Sequence, residues 1–200
     1  DVVAYTGDSN ATRTVSHNLG VVPEMMVVRR RTEASQWYTY HSALGAGKLV
    51  WLNAADDEKT GTQFSVAPTS SVFYVNNTGT VNKANVSHIA YLFATVAGVS
   101  KVGSYTGNGS SQTIDCGFSS GARFVLIKRT DASGDWWIFD TVRGIVTGND
   151  SYLALNSNIA ENAYGAGDNI DPNSTGFTIN QEYLTQANAS GGSYLFYAIA

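Results

Sequence analysis

Arg31-Thr32-Glu33-Ala34-Ser35, followed by Trp37-Tyr38-Thr39-Tyr40, is echoed by Arg129-Thr130-Asp131-Ala132-Ser133, followed by Trp136-Trp137-Ile138-Phe139. Working outward from this pair, Tyr5-Thr6-Gly7 recurs as Tyr105-Thr106-Gly107 and Leu52-Asn53 as Leu155-Asn156. Phe64-Ser65-Val66 answers to Phe177-Thr178-Ile179, and Tyr91-Leu92-Phe93 to Tyr194-Leu195-Phe196. The matches keep their order while their spacing drifts, which is what a duplication with loop insertions leaves behind. The copies run over 1–98 and 103–200, joined near Ala97-Gly98-Val99-Ser100-Lys101. So short a joint predicts two units packed side by side about a pseudo-twofold axis, not two beads on a tether.

Within each copy the local signals are those of strands. Met25-Met26-Val27-Val28-Arg29 and Phe124-Val125-Leu126-Ile127-Lys128 are short and near-continuously apolar, the pattern of central strands. Each is followed by a polar turn and an aromatic strand, which reads as a hairpin. Helical spacing is weak: Ala54 to Thr60 and Asn156 to Tyr164 make single turns at most. The predicted fold class is all-β, with two tandem, pseudo-symmetric β-sandwich units of jelly-roll-like character.

Alternation assigns the aromatic strand's side chains to opposite faces. Tyr38 and Tyr40, with Trp137 and Phe139 in the second copy, share a face that is bulky throughout and is predicted to be core. Trp37 and Trp136 point the other way, flanked on that face by His41 and Asp140 respectively. An outward Trp beside polar groups suits a glycan, whose C–H groups stack on indole while Asp or His takes the hydroxyls. The same face equally suits a protein partner. Trp37, His41, Trp136 and Asp140 are therefore the candidate binding residues.

Other chemistry finds little support. The chain has 12 basic and 16 acidic residues and a net charge of −4, without the clustered cations that nucleic acid requires. Arg29-Arg30-Arg31 alternates between faces and makes no continuous patch. No apolar run approaches the eighteen or so residues of a membrane span, and Asp1-Val2-Val3-Ala4-Tyr5 does not read as a secretory leader. His17, His41 and His88 are scattered, and the lone Cys116 excludes an internal disulfide. Asp56-Asp57-Glu58 and Asp168-Asn169-Ile170-Asp171 lack the spacing of a dedicated Ca²⁺ loop and read as solvated turns. No catalytic residue, metal or cofactor is expected.

Tyr105-Thr106-Gly107-Asn108-Gly109-Ser110, Phe124 to Arg129, Trp137-Ile138-Phe139-Asp140-Thr141-Val142-Arg143-Gly144 and Tyr152-Leu153-Ala154-Leu155-Asn156 resemble a repeat in virion proteins of tailed bacteriophages. The first copy departs from it at His41-Ser42-Ala43-Leu44-Gly45. The resemblance implies a non-enzymatic structural protein of the virion, of the tail-fibre or receptor-binding type. It also implies self-association as a homotrimer and contact with other virion proteins, while recognition of a host-surface glycan is expected from Trp37, Trp136 and their polar neighbours. The alternative is a capsid-decorating protein without a ligand, and a polysaccharide depolymerase is the least favoured class.

Overall fold

A computed structural model of the chain describes residues 1–163, 167–180 and 185–200. The named elements are antiparallel strands in several sheets with one short helix, so the chain is all-β. It divides into two compact units, one of Asp1–Asn53 and Glu58–Ala94, the other of Ala54–Asp57 and Thr95–Ala200.

The first unit holds β1 (Val2–Thr6), β2 (Thr12–Ser16), β3 (Met25–Arg30), β4 (Tyr38–His41), β5 (Lys48–Trp51), β6 (Lys59–Thr60), β7 (Val72–Asn76) and β8 (Ser87–Phe93). One sheet runs β1-β8-β3-β4-β5-β6, and β2 pairs with β7 in a second. The core draws on both sheets: Tyr5, Met26, Val28, Tyr38, Tyr40, Leu49, Ala90 and Leu92 meet Val15, Phe73 and Val75. Strand β3 is apolar along its length because both its faces are closed; Met25 and Val27 are buried as well as Met26 and Val28.

The second unit holds β9 (Ser100–Thr106), β10 (Gln112–Asp115), β11 (Phe124–Arg129), β12 (Trp136–Asp140), β13 (Ser151–Ala154), β14 (Asn162–Ala163), β15 (Ile170–Asn173), β16 (Gly176–Ile179), α1 (Thr185–Asn188) and β17 (Ser193–Ile199). Its large sheet runs β9-β17-β11-β12-β13-β14, and β10, β16 and β15 form the small one. Val125, Ile127, Trp137, Phe139 and Phe196 pack against Cys116, Ile170, Phe177 and Ile179. The four aromatics predicted as core are all buried. The weak helical signals are not helices: Lys59–Thr60 is a strand and so is Asn162–Ala163, while Tyr164 lies outside the described residues. Helix α1 had no visible signal.

Strand register makes the repeated Tyr-Thr-Gly motif intelligible. Tyr5 pairs with His88 and Tyr105 with Tyr194, and each pair stacks, at 5.0 Å and 9° in the first unit and 4.9 Å and 12° in the second. The Tyr5 hydroxyl donates to the Val81 carbonyl and the Tyr105 hydroxyl to the Ala187 carbonyl, each at 2.5 Å. A methyl group on Gly7 would overlap the Lys83 carbonyl, and one on Gly107 the Ala189 carbonyl, so only glycine fits behind each tyrosine.

The same registers correct three of the matches drawn from sequence. Arg30, not Arg31, corresponds to Arg129, because Arg30 faces His88 as Arg129 faces Tyr194. Strand β8 corresponds to β17 with His88 at Tyr194 and Tyr91 at Tyr197, because Tyr91 faces Val27 as Tyr197 faces Leu126. Aligning Tyr91-Leu92-Phe93 with Tyr194-Leu195-Phe196 is a slip of three residues, an odd number that moves every side chain to the wrong face. Likewise Phe177 corresponds to Phe73, which faces Val15 on β2 as Phe177 faces Ile114 on β10, and not to Phe64.

Candidate binding surface

Each aromatic strand begins at an asparagine. Asn53 Oδ1 accepts the Trp37 amide at 2.9 Å and Asn156 Oδ1 the Trp136 amide at 2.7 Å. The Leu52 and Leu155 amides return to the Trp37 and Trp136 carbonyls at 3.0 and 2.9 Å. The repeated Leu-Asn dipeptide thus aims the tryptophan, and both indoles leave the core face as alternation predicts.

Their surroundings then differ. Trp37 is half-buried, its ring lying 6.3 Å from that of Tyr91 at 18°. The Arg29 guanidinium carbon sits 4.7 Å from its centroid. Trp136 is 1 % exposed and presents no open ring to a sugar. The correction has a physical reason: its face of the sheet also carries Leu126 and Leu195, both buried, and an apolar face is one that folding closes.

His41 is also buried, at 1 % exposure, and its Nδ1 accepts the Ala43 amide at 3.1 Å in the turn that follows β4. It too is withdrawn from any direct ligand contact. Asp140 is half-buried and shapes its own turn, taking the Val142 and Arg143 amides at 3.0 and 2.9 Å and pairing with the Arg143 side chain. Arg143 also reaches Glu161 at 3.2 Å. The four predicted residues thus form no single site, and Trp37 alone offers a partly open ring.

Arg29 and Tyr91 complete the stack around Trp37. Extending the β3–β4 register past Val28 and Tyr38 sets Arg29 opposite Trp37, so a fixed hairpin register was the signal that would have found it. Tyr91 was hidden by the slipped alignment of the last strand.

Several other titratable groups are held in contacts within the fold. His88 is fully buried against Tyr5, with Nδ1 2.9 Å from the Val86 carbonyl, and burial pulls its pKa down. His17 is buried with Nε2 3.1 Å from the Thr69 carbonyl. Burial pushes the Cys116 thiol up to about 12, which leaves essentially no thiolate at neutral pH. Asp168 and Asp171 both accept from the Asn180 amide, at 2.8 and 2.9 Å, so a neutral donor fills the place between them. Among the described residues no group of three or more His, Cys, Asp or Glu side chains is placed to hold a metal. No helix among them is long and apolar enough to cross a membrane.

A family model described as a domain of unknown function matches residues 1–200, both units in one span. The chain belongs to this family, DUF7483. No curated protein and no solved structure matches it. The match runs across both compact units.

Proposed function

We propose that the chain is a tandem pair of pseudo-symmetric, jelly-roll-like β-sandwiches serving as a non-enzymatic bacteriophage virion protein of the tail-fibre or receptor-binding type. It self-associates, as a homotrimer on the resemblance, and recognises a host-surface saccharide. The observation that carries the reading is the partly open Arg29–Trp37–Tyr91 stack on a sheet whose backbone is fixed by ladders on both sides. Aromatic rings held on rigid strands make a preorganised surface for recognition. Burial of all three histidines, and of a thiol held in its protonated form, weighs against nucleophilic or general-base chemistry.

The test is adsorption of the purified chain to host cells and to a glycan array, beside immunogold labelling of particles. Retention that disappears in Trp37→Ala and survives in a correctly folded Trp136→Phe supports the reading. Unlabelled particles, or adsorption indifferent to Trp37, overturn it. Closure of Trp136 and His41 favours, as the second reading, a capsid-decorating protein without a ligand, for which the array stays blank while the particles label.

A further inference from the structure

We infer that unit one carries a site for an acidic saccharide, a sugar ring bearing a carboxylate, centred on Arg29, Trp37 and Tyr91, and that there is one such site per chain. This rests on the saccharide reading above and names the ligand class. Four other arginines are neutralised in place: Arg13 by Asp8, Arg30 by Glu33, Arg129 by Asp131 and Arg143 by Asp140. Arg29 is not. Its Nε donates to the Arg30 carbonyl at 3.0 Å, and among the described residues no carboxylate pairs with it. The residue is half-buried.

The Arg29 guanidinium carbon lies over the indole, and with Nε bonded to the Arg30 carbonyl the two terminal nitrogens are the end left for a ligand. That end is the fork that takes both oxygens of a carboxylate at once. The surrounding charge agrees. Next in the chain Arg31 is exposed and pairs with no carboxylate among the described residues, while Arg30 and Lys83 share Glu33. The Lys83 ammonium at 2.8 Å holds the Glu33 carboxyl below its ordinary range, so that anion is already spoken for. Trp37 and Tyr91 supply apolar ring for sugar C–H groups. The coupled amides of Gln36 and Asn53 stand beside Trp37 as hydroxyl partners.

The second unit sets the stoichiometry. Register places Lys128 where unit one has Arg29, and Trp136 where it has Trp37. Lys128 is 0 % exposed and Trp136 1 %, so the corresponding position is closed.

The experiment is titration of the whole chain with trigalacturonic acid and 3′-sialyllactose, against trigalacturonate methyl ester and lactose as uncharged counterparts, read by tryptophan fluorescence and calorimetry. The expected result is binding of an acidic probe at one per chain, tighter than its neutral counterpart by about tenfold or more, as a charge-assisted fork implies. Added salt weakens it. Arg29→Gln abolishes the preference, and Arg29→Lys, which keeps charge without the fork, retains only part of it. Neutral probes bound as tightly as acidic ones overturn this inference and leave saccharide recognition standing. No response to any of the four overturns it too, and the array then decides the broader reading separately. Two sites per chain, or binding unaffected in a folded Arg29→Gln, places the ligand elsewhere.

Discussion

Asp150 lets the packing of the second unit be tested through its pH dependence. Its side chain is 1 % exposed; Oδ1 takes the Val146 amide at 3.2 Å and Oδ2 the Asn169 and Ile170 amides, each at 2.9 Å. Loss of hydration outweighs these three donors and, with Asp168 nearby, pushes the carboxyl up to about 6. An unfolded aspartate titrates at about 3.9. The fold thus binds this proton more tightly over about two pH units, which corresponds to about 3 kcal/mol. Since the folded value is the raised one, the contribution is fully present below about pH 4 and is lost as pH rises through about 6. Asp150→Asn removes the titration. It keeps one carbonyl oxygen for Asn169 and Ile170 but turns an NH₂ toward the Val146 amide, costing about 1–2 kcal/mol at every pH. Denaturant unfolding of both proteins from about pH 4 to about pH 7 isolates the effect as a difference, with other carboxylates cancelling. Wild type falls relative to the variant by about 2 kcal/mol across the window. A flat difference, or one of opposite slope, refutes the burial argument.

Three further outcomes follow from the packing. Asn82 and Asn188 are fully buried; Asn188 Nδ2 donates to the Ser110 carbonyl at 2.6 Å while its Oδ1 takes Gln112 Nε2 at 2.7 Å. Replacing either by Ala costs about 2–3 kcal/mol in chemical denaturation, and a loss below about 1 kcal/mol contradicts their bonding roles. His88, depressed by burial and beside Arg30 and Arg13, gives stability that is whole above its unfolded pKa and falls away as pH drops through its lower folded one. His88→Tyr, the residue at this place in the second unit, removes that acid-side loss, and an unchanged acid limb speaks against it. Trp136→Ala costs about 3–5 kcal/mol and Trp37→Ala about 1–2 kcal/mol, so the reverse order in thermal or denaturant unfolding defeats the assignment of burial.

How far the fold was legible depended on what each match contained. The Arg-Thr-acidic-Ala-Ser turn and the Leu-Asn dipeptide mix polar, turn-making and apolar residues. The dipeptide falls at equivalent places because Asn53 and Asn156 make the same bond, whereas the turn motif is one residue off, since Arg30 faces His88 as Arg129 faces Tyr194. Tyr-Leu-Phe and Phe-Ser-Val are short apolar words that any strand of a β core supplies, and both misled. The true equivalents lie three residues from the Tyr-Leu-Phe match: His88 has diverged from Tyr194 while keeping its stacking, and Tyr91 is kept as Tyr197 in the same pairing. Alternation set the faces of Trp37 and Trp136. It is silent on what lies over a face, so the closure of Trp136 and His41 needed coordinates.

The contrast between Arg29 and Lys128 shows why two copies of one strand pair need not do one job. A lysine ammonium has three donors at a point, and three carbonyls can take them indoors: Nζ of Lys128 donates to Gly134 at 2.7 Å, Arg129 at 2.8 Å and Ala55 at 3.4 Å. Ala55 belongs to the same compact unit, where its carbonyl also accepts the Ser133 hydroxyl at 2.9 Å and the Gly134 amide at 2.8 Å. A guanidinium spreads five donors along a flat edge, and so small a knot of carbonyls cannot satisfy it. Arginine at that position therefore keeps an edge in water and holds the indole beneath it partly open, whereas lysine permits closure. On this argument Lys128→Arg in the second unit loses stability through unsatisfied N–H groups without gaining a ligand site. The converse, Arg29→Lys, leaves the first unit folded and weakens recognition.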